Sequence, residues 1–559
     1  MKKKNIISLF QRSDLIRFLT IPFLFLILTA GIGGITLLGH SKPHIETISP
    51  NIGEPGDILV IKGSNFGKEQ NDNWVEINGS RITESSYRKW EDTVILVELP
   101  QNIRDGLVYI HTKTSKSKPV MFANKKNIPV AAQIKTDQGM PFIESFDSDT
   151  GETGKKLIIR GKNFGLNRSG SQVLFAWQID SGIPVATTSR TAQLSISGSE
   201  HDFDYEFWSD QELRVRVPDG AVSGNVYVLT ERGLSNTRPL RLVNQSGTKN
   251  YPNKRTYILS MQVDISRIEA SGENTLFIRI PLPVLTPSQR DVQLTASSPQ
   301  PYIENYQNTI LHQLDNLKTG KDIKIAHSIA ISVSDVITTI NPVQVKPYKE
   351  TNSPLYIQYT SPDNVVPSAN PKIKETAMEI VKKEKNPWRK AKLIYDWILE
   401  NIKPMPGKNP DRSIETALTE KTGDAYDMAL LFTALARAAE IPAVPVAGIL
   451  VNNKRQAQNH WWAEFWIEGT GWVPVDPGLG AGYPIEMRSD DRKNWYFGNC
   501  DSSHIAFSRG WSDHKQMTPN SKVVYKPRSF AFQPIWEESS AQIKSYASFW
   551  GTPGVTGVY

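Results

Sequence analysis

Between Lys421 and Pro477 the chain reads KTGDAYDMALLFTALARAAEIPAVPVAG and then, after a short gap, NHWWAEFWIEGTGWVPVDP. No other stretch restricts the fold as strongly. Ala425, Met428, Ala429, Phe432, Leu435, Ala436 and Ala439 recur at spacings of three and four, which predicts a helix with one face in a core. Thr422, Gly423 and Asp424 precede that face and are suited to accept the helix's free amide hydrogens, so Ala425 falls in the first turn. Farther on, His460, Trp462, Glu464 and Trp466 alternate with Trp461, Ala463, Phe465 and Ile467, the period of a strand packed on both faces. Glu468-Gly469-Thr470-Gly471 turns the chain into a second strand that ends at Asp476. A hairpin centred on Glu468 sets His460 opposite Asp476, where a carboxylate can orient an imidazole. The glycines favour a centre one or two residues later, with a bulge absorbing the difference.

A helix start, a histidine and an aspartate are parts of a thiol-dependent acyl-transfer site. A thiol in the first turn would meet the positive end of the helix dipole and exposed amide donors, which lower its pKa and can hold an oxyanion. The methyl group of Ala425 uses neither.

At these residues the chain resembles the transglutaminase-like superfamily, which has a papain-like fold. The resemblance is carried by Gly423-Asp424, Arg437-Ala438 with Ile441-Pro442-Ala443, His460-Trp461-Trp462-Ala463-Glu464, and Gly471-Trp472 with Asp476-Pro477. It covers about a hundred residues and implies an α+β papain-like domain over 371–510, with His460 as base, Asp476 as orienting acid and Ala425 at the nucleophile cysteine's place. Loss of the nucleophile costs acyl-transfer enzymes about a millionfold in turnover, so the resemblance implies a pseudoenzyme rather than an active one. A groove lined by Trp461, Trp462, Glu464 and Trp466 is then expected to hold a peptide, protein or glycan strand. The competing enzyme reading uses an unorthodox nucleophile, with Cys500 displaced from the helix start and His504 as an alternative base. No cofactor and no metal is expected, and the single Cys500 excludes an internal disulfide and any multi-cysteine metal site.

At 559 residues the chain should hold several domains. A net charge of +7, without a basic patch interleaved with aromatics, gives no reason to expect nucleic acid as a partner. Part of that charge lies in the basic segment 1–17, with Lys2, Lys3, Lys4, Arg12 and Arg17. The uncharged stretch 18–38 that follows is long enough to span a bilayer. This pattern predicts a single-pass transmembrane helix with the bulk of the chain extracytoplasmic, in the periplasm or at the cell surface; a cleaved signal peptide fits its length less well.

Past the membrane the chain repeats. Pro43, Ile45, Gly53, Gly56, Gly63, Asn65, Phe66 and Gly67 recur 98 residues later as Pro141, Ile143, Gly151, Gly154, Gly161, Asn163, Phe164 and Gly165. Both copies look like the immunoglobulin-like IPT/TIG β-sandwich, over 43–125 and 141–245, the second with an insertion between Gly170 and Glu206. They are expected to act as spacers that carry the rest away from the membrane. A further β-rich domain follows over 255–360, with strands expected at Tyr257–Ile265, Leu276–Ile280, Ile323–Val333 and Leu355–Tyr359. Helical patterning begins at Pro371, a cap at Asn386-Pro387 opens a second helix, and Ser413 starts a shorter one. The tail 511–559 is expected to pack back on the core. Three functions fit this layout: a membrane-anchored binding or scaffold protein of the bacterial cell envelope, an acyl-transfer enzyme with an unorthodox nucleophile, and a purely architectural protein acting through its IPT/TIG modules.

Overall fold

The computed structural model describes residues 42–100, 103–113, 115–124, 139–177, 195–405, 413–483, 492–518 and 520–559. Segments 1–17 and 18–38 lie outside them, and no helix among the described residues is long and apolar enough to cross a membrane. The chain divides into two compact units, 1–131 and 132–559.

The first unit is a β-sandwich of a four-stranded and a five-stranded sheet. Alternation along Ile58–Ser64 turns Leu59 and Ile61 into its core, where they meet Phe66, Val75, Ile95 and Phe122. The second copy of the repeat, within the other unit, also has two sheets, and its core holds the equivalent Phe164. The repeated motif is a backbone requirement. A Cβ at Gly63 would stand 1.9 Å from the His44 carbonyl oxygen, and one at Gly161 would stand 2.0 Å from that of Phe142. Asn65 and Asn163 then take φ of 61° and 65°, in the left-handed region that asparagine tolerates. Strand Gln172–Ala176 is the counterpart of Trp74–Ile77 in the first copy, so the insertion follows it and leads to its partner Ser195–Ser197; residues 178–194 lie outside the described set.

This second module is not a free spacer. Trp472 donates its indole N–H to Asp202 (2.9 Å), Lys249 donates to the Trp472 carbonyl (2.9 Å), and Ser246 donates to the Glu468 carbonyl (2.7 Å). Arg216 is paired with Glu350 at 2.9 Å, and Arg290 donates to the Ser195 carbonyl at 2.7 Å. The module is thereby fixed to both domains that follow it.

The middle β-domain is organised on the 16-residue strand β1 (Arg255–Ala270), which pairs antiparallel with β2 (Ile323–Val333) along the whole of β2. Its other edge is taken by the chain's last strands, Ile543–Trp550 and Gly554–Val558. The facing sheet likewise receives Lys522–Val524 and Glu537–Ser539. The tail, expected to pack on the helical core, thus completes both sheets of the middle domain, and Trp536 is buried between them. Leu355–Tyr359, expected as a strand, is instead part of helix α1 (Pro354–Thr360). Ser353 caps it by accepting from the Tyr356 N–H, and Pro354 opens it. Five alternating residues are too few to fix a period, and the Ser-Pro start decides.

Helices α2 (Pro371–Val381), α3 (Pro387–Asn401) and α4 (Ile414–Glu420) begin at the caps Asn370, Asn386 and Ser413. They surround α5 (Ala425–Ala438), which is buried along nearly its whole length. Behind α5 stands an antiparallel sheet of β3 (Ala443–Val451), β4 (Ala457–Ile467), β5 (Gly471–Val475) and β6 (His504–Arg509), in the spatial order β5–β4–β3–β6. Trp461, Ala463, Phe465 and Ile467 of β4 face α5 within one apolar cluster.

Between the two sheets of the middle domain, the Nε2 atoms of His312 and His327 lie 2.8 Å apart and share one hydrogen bond. Both rings are buried, and burial lowers each pKa from 6.5 to about 4. Because the folded values are depressed, the pair leaves stability intact above about pH 6.5 and removes it as pH falls through 4. The slope approaches about 1.4 kcal/mol per pH unit for each proton taken up on unfolding. Melting temperature measured against pH should therefore fall between pH 6.5 and 4, and the double variant His312→Leu/His327→Leu should flatten that limb.

Candidate functional site

The start of α5 is built by its own sequence. Asp424 accepts from the Asp427 N–H at 3.0 Å, and Asp427 accepts in return from the Asp424 N–H at 3.2 Å, a reciprocal capping box. Ala425 is the first helical residue and is 1% exposed. It abuts the turn after Asp476: a Cβ at Gly478 would stand 3.2 Å from the Ala425 Cβ and 3.3 Å from Asp476 Oδ1. A side chain at Gly478 would therefore press on Ala425.

The histidine and the aspartate meet. His460 on β4 donates from Nε2 to Asp476 Oδ2 at 2.6 Å, and both side chains are buried. The hairpin register pairs Ile467 with Gly471 and Ala463 with Val475, so its centre is Gly469, one residue beyond the Glu468 centre considered from the sequence. Gly469 and Gly471 take φ of 77° and 97° to make that turn. Asp476 is therefore not the ladder partner of His460. It leaves the strand as the cap of the turn Pro477–Gly480, where Oδ1 accepts from the Leu479 N–H at 2.8 Å and Oδ2 points back to the imidazole.

A second histidine completes the cluster. His504 Nε2 lies 3.1 Å from the same Asp476 Oδ2, and its Nδ1 lies 3.1 Å from Asp501 Oδ1. Ionised carboxylates only accept, so both ring nitrogens donate and His504 is an imidazolium. Burial opposes its charge, yet Asp501 and Asp476 raise its pKa well above the ordinary histidine value. Burial likewise pushes the Asp476 carboxyl upward, but His460 and His504 hold it below the usual carboxylate range. With Nε2 given to Asp476, His460 Nδ1 is left buried without a hydrogen-bond partner.

Cys500 does not make a second reactive centre. Burial raises its thiol to about 11, and His504, with both nitrogens donating, keeps no lone pair to act as a base. Among the described residues, His460, Asp476 and His504 form the one group whose side chains could hold a metal ion. The 2.6 Å between His460 and Asp476 is a direct hydrogen bond, shorter than the roughly 3.2 Å that two ligands keep around a tetrahedral ion with bonds of about 2.0 Å.

Trp461, Trp462, Glu464 and Trp466 do not line one groove, although Trp462 and Glu464 border a small cavity with Trp472, His504 and Arg509. Adjacent residues of a strand point to opposite faces, so Trp461 packs toward α5 while Trp462 and Trp466 face the other way. The three indoles are only 8%, 4% and 5% exposed. Trp461 is held by Tyr426 and the Ser529 carbonyl, Trp462 lies edge-on to His504, and Trp466 packs against Trp472 and beneath Gly154 of the second module. Glu464 is bound to Arg509 at 2.8 Å.

Residues 374–477 match the transglutaminase-like superfamily, and residues 43–122 and 141–257 match the IPT/TIG domain. The chain therefore carries a transglutaminase-like domain after two IPT/TIG modules. It is 31% identical to an uncharacterized protein of Haemophilus influenzae over 169 residues, 24% of this chain and 46% of that protein. It is 28% identical to a cyclomaltodextrin glucanotransferase of Paenibacillus macerans over 95 residues, 17% of this chain and 13% of that enzyme. The chain thus spans less than half the length of these curated relatives. Among solved structures, a candidate cysteine protease of Cytophaga hutchinsonii is 17% identical with a TM-score of 0.35, covering 56% of this chain and 91% of that one. The periplasmic domain of TgpA from Pseudomonas aeruginosa is 14% identical with a TM-score of 0.24, covering 42% and 94%.

Because His504 has a raised folded pKa, its contribution to stability is complete below about pH 6.5 and is lost as pH rises through that folded value. His504→Gln leaves the buried Asp476 and the half-buried Asp501 short of their counter-charge and should cost roughly 3–5 kcal/mol near pH 6. Chemical denaturation at a series of pH values should show the gap to the parent chain narrowing as pH rises.

Proposed function

We propose that this chain is a membrane-anchored, extracytoplasmic protein whose transglutaminase-like domain is catalytically inactive and serves to bind or scaffold peptide, protein or glycan material of the cell envelope. Ala425 carries the inactive part of this reading. It is the first residue of α5, beside the Asp476 turn, where a nucleophile would use the helix's amide donors. The rest of an acyl-transfer apparatus is retained. His460 is oriented by Asp476, and its partnerless Nδ1 is the nitrogen left to take a proton from a nucleophile. A methyl group has no proton to give. The anchor rests on the uncharged stretch 18–38 and the basic residues before it. With the three indoles packed inside, binding by this domain falls to its outer surface rather than to an indole-lined groove.

The parent chain should turn over neither peptide nor amine-donor substrates at high protein concentration, and turnover abolished by His460→Ala would overturn the inactive reading. Ala425→Cys should create a thiol whose alkylation rate, followed against pH, has its midpoint below the ordinary value of about 8.5. Adding His460→Ala should move that midpoint back up. For the anchor, the full chain should remain with membranes after a high-salt wash, and its release by that wash would refute it.

A further inference from the structure

We infer that the chain's own segment 528–532 is a strap that seals the Ala425 position, held in place by the Arg528 guanidinium across the two carboxylates at the start of α5. The inference rests on the reading of Ala425 as the nucleophile's place and adds what covers it.

Arg528 donates from Nη1 to Asp424 Oδ2 and from Nη2 to Asp427 Oδ1, each at 2.7 Å. Its guanidinium lies 4.3 Å above the Tyr426 ring. One side chain thus engages the residue before Ala425, the residue after it and the residue beyond that. The Ser529 carbonyl next accepts from the Trp461 indole at 3.1 Å, beside His460. The Phe532 N–H then donates to Ser508 on β6 at 2.8 Å, and the Phe532 ring rests 6.1 Å from Tyr426. The segment therefore crosses from the helix start, over the strand that carries the histidine, to the sheet's edge strand. Beneath it Ala425 is 1% exposed, which is too enclosed for a peptide to reach.

The grip is specific. Asp424 and Asp427 are both committed to the capping box, and burial together with the charge of Asp424 pushes the Asp427 carboxyl upward. The planar fork of an arginine neutralises both at once, which a lysine cannot do bidentately. Arg528 itself sits at φ 53°, a left-handed backbone that persists in an arginine where its surroundings over-determine it. The strap and the cap of α5 thus depend on the same two carboxylates, so opening the strap removes the guanidinium that balances them.

The test places a thiol under the strap in the full chain and measures its alkylation by iodoacetamide, with Cys500, buried beneath other residues, as the internal report of folding. Ala425→Cys should react at least tenfold more slowly than Ala425→Cys/Arg528→Ala while Cys500 stays unreacted in both. Ala425→Cys/Arg528→Lys should fall between them, and it decides by the same criterion if the alanine variant exposes Cys500. Equal rates with and without Arg528, whether both fast or both slow, would overturn the strap. The two readings fail separately, because the Ala425 assignment is judged by the midpoint of the pH profile and the strap by the limiting rate at high pH.

Discussion

One carboxylate oxygen holds this domain in register. Asp476 Oδ2 accepts from His460 on β4 and His504 on β6, while Oδ1 accepts from the turn that brings Gly478 against Ala425. The two outer strands, β5 and β6, are thereby tied to each other through the histidine strand and to the start of α5. A buried carboxylate is costly unless its charge is met and its lone pairs are used. Here the His504 imidazolium meets the charge, and three donors use the lone pairs. The same arrangement fixes the His460 tautomer: Nε2 carries the proton given to Asp476, and Nδ1 is left over.

The second compact unit behaves as one interlocked body rather than domains on a string. The chain crosses the middle β-domain, builds the helical core and its sheet, and returns to supply strands to both sheets of the middle domain. No cut between the two leaves both with complete edges, and an unfinished sheet edge is a site for wrong pairing. The second IPT/TIG module joins the same body through Asp202, Lys249 and Arg216, whose partners lie on β5 and beside α1. A purely architectural role for the second module would have to be performed by a unit that includes the transglutaminase-like core.

What could be read from the sequence is what local spacing dictates. The period of α5, its Asp424 cap, the Asn386-Pro387 start and the repeated Gly-x-Asn-Phe-Gly corner each depend on residues a few positions apart, and each stands where that spacing puts it. The pairing of His460 with Asp476 was legible in kind, though its route was not, because the aspartate leaves the ladder instead of facing the histidine across it. The split of the tryptophans was legible too, since neighbours on a strand oppose one another, but the aromatic density masked it. Nothing local signals that Gly154 would cover Trp466, that His504 would share Asp476, or that Arg528 would reach back to Asp424. Those contacts join residues tens to hundreds of positions apart, and only the tertiary fold supplies them.

The alanine and the strap are consistent with each other in charge. Asp424, Asp427 and Asp476 already place three carboxylates around the start of α5 and the histidine, against the Arg528 guanidinium and the His504 imidazolium. A thiolate at position 425 would add a negative charge to this enclosed surplus, and it would need His460 to become a cation in compensation. A methyl group adds no charge and fits against Gly478 without a desolvation cost. Once the nucleophile is absent, access to the position has no chemical use, and a segment that closes it can stabilise the helix start without sacrificing a reaction.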